Sequence, residues 1–193
     1  MEQLKTTPSQ TVGPFFAYSL TAEQYGYAYN SIINNVLTVD GRDKIHIKGQ
    51  VFDGAGMVIP DAMIELYQAD VSGKYRDMPI NEKNDGFTGI GRMGTGTQAD
   101  GRFVFTTVKP MLADGLAPHI HVILFMRGSL LGLHTRIYFS DEEVANQNDE
   151  LLNAVPAERR PSLIAQKKET DGTITYLFNI YMQGANETVF FES

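Results

Sequence analysis

The chain has 193 residues, 42% of them hydrophobic, and a formal net charge of −7. That is enough for one sizeable core and short for two, and the absence of cysteine excludes disulfides, thiolate metal sites and cysteine nucleophiles. No basic run exceeds Lys167-Lys168, no apolar run approaches ~18 residues, and no basic segment precedes an apolar one at the N-terminus, so nucleic-acid binding and a membrane span are excluded and a cytoplasmic location is expected.

Residues 1–43 are rich in Thr, Pro, Gly, Tyr and Asn and show little periodicity, which predicts an irregular N-terminal arm. Its aromatics, Phe15, Phe16, Tyr18, Tyr25, Tyr27 and Tyr29, are too many for a solvated tail and predict packing on a partner chain. From Lys44 a strand period takes over. "KIHIKGQVF" alternates Ile45, Ile47 and Gly49 against His46 and Lys48. "AMIELYQAD" alternates again, and "ADGRFVFTTV" places Phe103 and Phe105 after an Asp-Gly turn. "PHIHVILFMR", "LHTRIYF" and "TITYLFNIYM" read as further strands, with "ETVFFE" closing the chain. Two helices are predicted on the C-terminal side. One covers "SDEEVANQN", with Ser140 as N-cap and Glu143 completing a capping box. The other covers "ERRPSLIAQKK", whose cations suit a helix C-terminus. The expectation is one all-β domain over residues 1–193: a β-sandwich core, an irregular N-terminal arm and one or two short helices.

Side chains at i and i+2 of a strand share a face. His119 and His121 in "APHIHVILF" therefore project together, with Cα atoms ~7 Å apart. Two imidazoles so placed can share one metal ion, or they can be partly buried histidines bonded to nearby backbone. His46 alternates with Ile45 and Ile47 and reads as a solvated strand residue; His134 shares a face with Arg136, which disfavours a second positive charge there. Glu65 is either exposed or paired across the sheet, and Asp141, Glu142 and Glu143 are explained by a helix N-terminus. No serine sits in an elbow motif, and "GIGRMGTG" lacks the Lys-Ser/Thr ending of a phosphate loop. Tyr75, on a loop in "SGKYRD", is a hard oxygen donor suited to a ferric ion, or else a packing residue.

Taken in order, "TPSQTVGPFF", "GQVFDGAGMVIPDAMIELYQADVSGKY", "FTTVKP", "APHIHVILF", "RGSLLGLHTRIYF" and "GANETVFFES" resemble the intradiol ring-cleavage dioxygenases. The resemblance spans the chain apart from residues 21–44. It implies non-haem ferric iron held by two tyrosines and two histidines. Tyr75, His119 and His121 match three of these positions. The second tyrosine follows a Lys-Pro-Gly turn in catalytic members. Here Met111 follows Lys109-Pro110, and "MLADGLAP" carries neither that tyrosine nor the arginine that catalytic members place near the histidines. Losing a phenolate leaves a more positive site that binds Fe(III) less tightly. The implied metal site is vestigial, with no catalytic residue in this chain alone.

The resemblance further implies a non-catalytic α chain that pairs with a catalytic β chain of the same fold. The Fe(III) is then the β chain's, with protocatechuate and O2 at the interface. The reaction so implied opens the ring between the two hydroxyl-bearing carbons, gives 3-carboxy-cis,cis-muconate and needs no NADH, a step of the β-ketoadipate pathway. Thr11, Gly13, Pro14 and Phe15 would line the substrate cavity. Arg127, in "LFMRG", would face the substrate carboxylate. From its own surroundings Arg127 reads as a strand-end arginine in a surface ion pair. Two other readings stand beside this one. The chain could be a self-sufficient ferric dioxygenase with a fourth ligand from Tyr25, Tyr27 or Tyr29, or a non-catalytic β-sandwich binding or assembly protein.

Overall fold

The strands follow from alternation, and alternation also fixes which face is buried. The structure, a computed structural model, describes residues 11, 15–28, 31–39, 43–76, 86–111 and 115–192, with backbone alone for 15–17. Its strands are β1 (Lys44–Gly49), β2 (Val51–Phe52), β3 (Met63–Tyr67), β4 (Ile90–Gly94), β5 (Phe103–Val108), β6 (His119–Phe125), β7 (Leu133–Phe139), β8 (Ile164–Thr170), β9 (Thr173–Leu177) and β10 (Ile180–Tyr181). Eight of them form one sheet in the order β4-β3-β6-β7-β8-β9-β1-β5, and β10 pairs separately with β2.

The sheet folds over where β7 meets β8, joined in parallel only at Tyr138↔Ile164 and Phe139↔Ala165. Its two halves then face each other. Ile45 and Ile47 of β1 and Phe103 and Phe105 of β5 bury one core with Ile64, Leu66, Ile120, Val122, Leu124 and Ile137 from β3, β6 and β7. Such faces fit a sandwich whose inner residues alternate with outward ones. The free edges, β4 and β5, are stitched by residues 34–38. The amides of Leu37 and Thr106 bond Thr106 O and Asn35 O on the β5 side; those of Arg92 and Thr88 bond Asn34 O and Leu37 O on the β4 side. Leu37 is fully buried in the core. The sheet is thereby nearly closed, and the open edges that invite pairing with other chains are covered.

Several expectations need correction. The arm is not irregular throughout: Phe15–Leu20 form the short helix α1, and Ala22–Tyr25 a 3-10 turn ended by Gly26 at φ 79°. Nor does all of it face outward, since residues 34–38 belong to the chain's own sheet edges. Over "SDEEVANQN" the helix α2 runs Glu143–Asn148 with Glu142 as an N-cap lacking a side-chain bond. Ser140 caps nothing, because its Oγ accepts from Lys167 N on β8. The second helix predicted over "ERRPSLIAQKK" is a 3-10 turn, Arg160–Leu163, followed by β8. Pro161 limits the turn, and β8 pairs with β9 through a hairpin at Asp171-Gly172, both at positive φ. That Asp-Gly was the available signal. Helix α3 (Glu150–Ala154) was not anticipated; Asp149 caps it, accepting from Leu152 N. "ETVFFE" forms no strand among the described residues, only the bridge His134↔Phe191. β4 was missed because "IGRMG" carries two glycines. At Gly91 a Cβ would collide with the Leu37 side chain, so the gap is filled from the arm.

Candidate functional site

β3, β4, β6 and β7 turn one face away from the main core, and the register sets side by side what the sequence separates. Glu65 faces Arg92 across β3–β4. Tyr67 faces His121 across β3–β6, and His121 faces Arg136 across β6–β7. Arg92 donates to Glu65 Oε1 at 2.6 Å and Tyr67 Oη to Oε2 at 3.0 Å, so Glu65 is the paired residue of the two alternatives and is occupied. Burial, then the Glu65 charge, pushes the Tyr67 phenol up to about 12.

Tyr75, His119 and His121 are brought together. His121 Nε2 lies 3.1 Å from Tyr75 Oη and 3.2 Å from His119 Nε2, and Tyr75 Oη is 3.5 Å from His119 Nε2. His119 is 3% exposed, and its Nδ1 donates to Ala117 O at 2.7 Å. That bond fixes the tautomer and leaves the Nε2 lone pair facing the cluster. Burial holds both imidazoles neutral. It lowers His119 against the pull of the Ala117 carbonyl, and it lowers His121, helped by His119, Arg136 and His134, to about 4. Neutral imidazoles and a phenol are suitable metal donors. The set does not fit a complete ferric site, however. Among the described residues no group of three or more His, Cys, Asp or Glu side chains could hold a metal. The side chain facing His121 from β7 is the Arg136 guanidinium, which opposes a cation.

The tyrosines considered as a fourth ligand lie elsewhere. Tyr25 Oη sits against Gly94 and Gly96, at the end of β4 that pairs with Met63 and, through it, Phe125. Its ring meets Tyr18 edge-on at 4.7 Å, and Tyr18 meets Tyr27 at 6.1 Å. Tyr29 lies outside the described residues.

Of the residues read as substrate contacts, Arg127 and Thr11 meet at that far end. Arg127 follows β6, is 65% exposed and ion-pairs with Asp61. This is the surface pair that the residue pattern alone suggested. The next residue, Gly128, turns at φ 87° and its amide donates to Thr11 Oγ1 at 2.9 Å. Arm and Arg127 thus share one corner, joined by a contact between residues 117 positions apart. Phe15 is the first residue of α1, while Gly13 and Pro14 lie outside the described residues. β6 separates this corner from the imidazoles. His119 to Phe125 is ~20 Å along an extended strand, a span far beyond one benzene ring.

Asp61 and Arg136 were not singled out as site residues from the sequence. Each acts through a cross-strand or cross-loop neighbour, for which one sequence gives no sign. The same holds for Asp149, 1% exposed, which accepts from Ala117 N, Leu152 N and Tyr138 Oη just behind His119.

Comparison with known proteins places these features in a family. A family described as "Dioxygenase" matches residues 13–116. The protocatechuate 3,4-dioxygenase alpha chain of Burkholderia cepacia is 48% identical over 196 residues, covering all of both chains. The beta chain from the same organism is 29% identical over 165 residues, covering 76% of this chain and 67% of its own. Among solved structures, the dioxygenase domain of a carbohydrate-binding fusion from Streptomyces sp. SirexAA-E superposes with a TM-score of 0.62 at 25% identity, covering 96% of this chain and all of that one. The mostly-β fold and whole-length similarity agree, and the chain belongs to the intradiol dioxygenase family.

Proposed function

We propose that this chain is the α subunit of a protocatechuate 3,4-dioxygenase and that it completes an active site whose Fe(III) is held by a catalytic β chain of the same fold. The observation that carries this reading is the distance along β6 between Arg127 and the Tyr75–His119–His121 cluster. The anchor lies past one end of β6 while His119 opens the other, so the two are set apart along the strand. The anchor therefore serves a ring bound at another chain's metal. The relatives, an alpha and a beta chain from one organism, support such a pair.

In this arrangement the ring opening, with both O2 atoms inserted between the hydroxyl-bearing carbons, belongs to the partner's metal centre. This chain binds and orients. Arg127 offers the planar fork that matches a carboxylate, and Thr11, bonded to Gly128 N, fixes where the arm enters the cavity that Gly13, Pro14 and Phe15 help to line. Its own Tyr75, His119 and His121 hold no iron tightly, because no further His, Asp or Glu joins them among the described residues and Arg136 faces the cluster. The self-sufficient reading has no observation in its favour, since Tyr25 and Tyr27 pack with Tyr18.

The test is steady-state kinetics of the assembled complex with Arg127→Ala. A charge-assisted hydrogen bond contributes ~1.5–3 kcal/mol, so the KM for protocatechuate should rise roughly ten- to hundredfold. Catechol, which lacks the carboxylate, should show a much smaller change, and Arg127→Lys should restore part of the loss. Equal losses for both substrates would withdraw the substrate contact.

A further inference from the structure

The outer edge of β4 is completed by the arm at two places. Asn34 O accepts from the Arg92 amide, and the Gln24 side chain takes the next pair of backbone groups. Gln24 Nε2 donates to Arg92 O at 3.1 Å, and its Oε1 accepts from Gly94 N at 3.1 Å. A side-chain amide stands where a neighbouring strand's peptide would. The next residue, Tyr25, is half-buried with its hydroxyl against Gly94 and Gly96. A Cβ at Gly94 would come within 3.0 Å of Tyr25 Oη, and one at Gly96 within 3.1 Å, so the two glycines leave the room that the phenol fills. Tyr18 of α1 meets the Tyr25 ring edge-on at 4.7 Å, which joins α1 to the 3-10 turn.

This attachment lies at the Arg127 corner. Gly94 pairs with Met63 and Met63 with Phe125, so the end of β4, the start of β3 and the end of β6 are neighbours. Asp61 precedes that start and Arg127 follows that end. Burial, then Tyr18 and the Asp61 charge, pushes the Tyr25 phenol up. The arm is therefore tied twice, by Thr11 to Gly128 N beside Arg127 and by Gln24 and Tyr25 to β4. The Thr11 bond is single and exposed, too little by itself to order the chain around it. We propose that Gln24 and Tyr25 are positioning residues for the carboxylate end of the substrate: by clamping the arm to β4 they hold Thr11, and through it the Gly128–Arg127 turn, at one spacing. The inference rests on the reading of Arg127 as the carboxylate anchor. Neither residue touches the substrate; each acts through Thr11 and the turn that carries Arg127. An arm released from β4 weakens binding and leaves the chemistry at the partner's metal as it was, which is a change in KM and not in kcat.

The experiment is steady-state kinetics on protocatechuate, with iron analysis, of the chain assembled with a catalytic β-type partner, for Gln24→Leu, Arg127→Ala and the double variant. Gln24→Leu removes both bonds to β4 at similar volume. It should raise KM about three- to tenfold, as the loss of neutral hydrogen bonds implies, with kcat and iron per αβ pair unchanged. In the Arg127→Ala background it should raise KM no further, because the group it positions is gone; an effect exerted through the fold alone would add in both backgrounds. Gly94→Ala reaches the clamp from the other side. The backbone there is extended, at φ −88° and ψ 151°, and the nearest atoms to the added methyl all belong to Tyr25, so the substitution displaces that ring. It should reproduce the KM rise and its dependence on Arg127 even if Gln24→Leu fails to assemble. An unchanged KM in Gly94→Ala, a fall in kcat or iron as large as the rise in KM, or the same rise in the Arg127→Ala background would overturn the inference. Arg127→Ala with an unchanged KM would instead withdraw the anchor, and this inference with it.

Discussion

Arg127 has two carboxylates to choose between, Asp61 within its own chain and the aromatic acid in the assembled site. The exposed pair with Asp61 contributes only ~0.2–1 kcal/mol, so the substrate displaces it readily. Asp61→Asn removes the competitor and should lower the KM for protocatechuate two- to fivefold or so. A raised KM in that variant would mean that Asp61 holds the guanidinium in its productive orientation instead. Thr11, Arg127, Tyr75, His119 and His121 each sit in a motif of fixed order, which is why the sequence singles them out, and the structure brings the last three together. Asp61 was not singled out, because it is joined to Arg127 only by the folding of β3 beside β6. Of the alternatives left open for the histidines, the structure bears out the buried one for His119. His119 is a buried histidine bonded to the Ala117 carbonyl, and the same bond turns its Nε2 toward His121 and Tyr75.

Strand β6 and helix α3 are tied together by one buried carboxylate. Asp149 caps α3 at Leu152 N, anchors the entry to β6 at Ala117 N and takes the Tyr138 hydroxyl of β7. Replacing it by Ala strands three buried donors, so a loss of ~2–4 kcal/mol is expected, read as a lower urea midpoint with unchanged m. A loss below ~1 kcal/mol would show that water or repacking satisfies those groups. A second tie joins the two halves of the sheet. Asp141 accepts from Tyr176 Oη of β9 and pairs with Lys109 and Lys167. Burial alone would raise its pKa, but the bonds from Lys109, Lys167 and Tyr176 outweigh it and hold the carboxyl below its usual value. A depressed carboxyl stabilises the fold above its unfolded pKa, and that stability fades as pH falls through the lower folded value. Asp141→Asn should therefore flatten the acid limb of the stability curve below about pH 4. Identical limbs in the two proteins would contradict the linkage. Strand alternation made most of these elements readable. β8 was not, because Gln166 to Thr170 are polar and exposed on both faces and leave no apolar alternation to mark a strand period.

At the scale of the whole molecule, the arm decides whether the chain is complete by itself. Its residues 34–38 close the chain's own sheet, yet the corner where Thr11 meets Gly128 carries Leu130 and Leu131 at 61% and 68% exposure, and Tyr27 is 55% exposed. Exposed apolar residues around a charged anchor suit the rim and core of an interface. The sequence suggests a division of labour through the missing tyrosine after Lys109-Pro110. It could not convey the separation along β6, which needs three-dimensional register. The central claim is that this chain binds the acid while a partner holds the iron. It is tested most directly by metal analysis and O2 uptake on protocatechuate, with the chain purified alone and after co-expression with a catalytic β-type chain. The account predicts a colourless, inactive chain with substoichiometric iron when alone, and close to one iron per αβ pair with activity when paired. A lone chain that holds one iron tightly, shows a visible phenolate band and consumes O2 would contradict it.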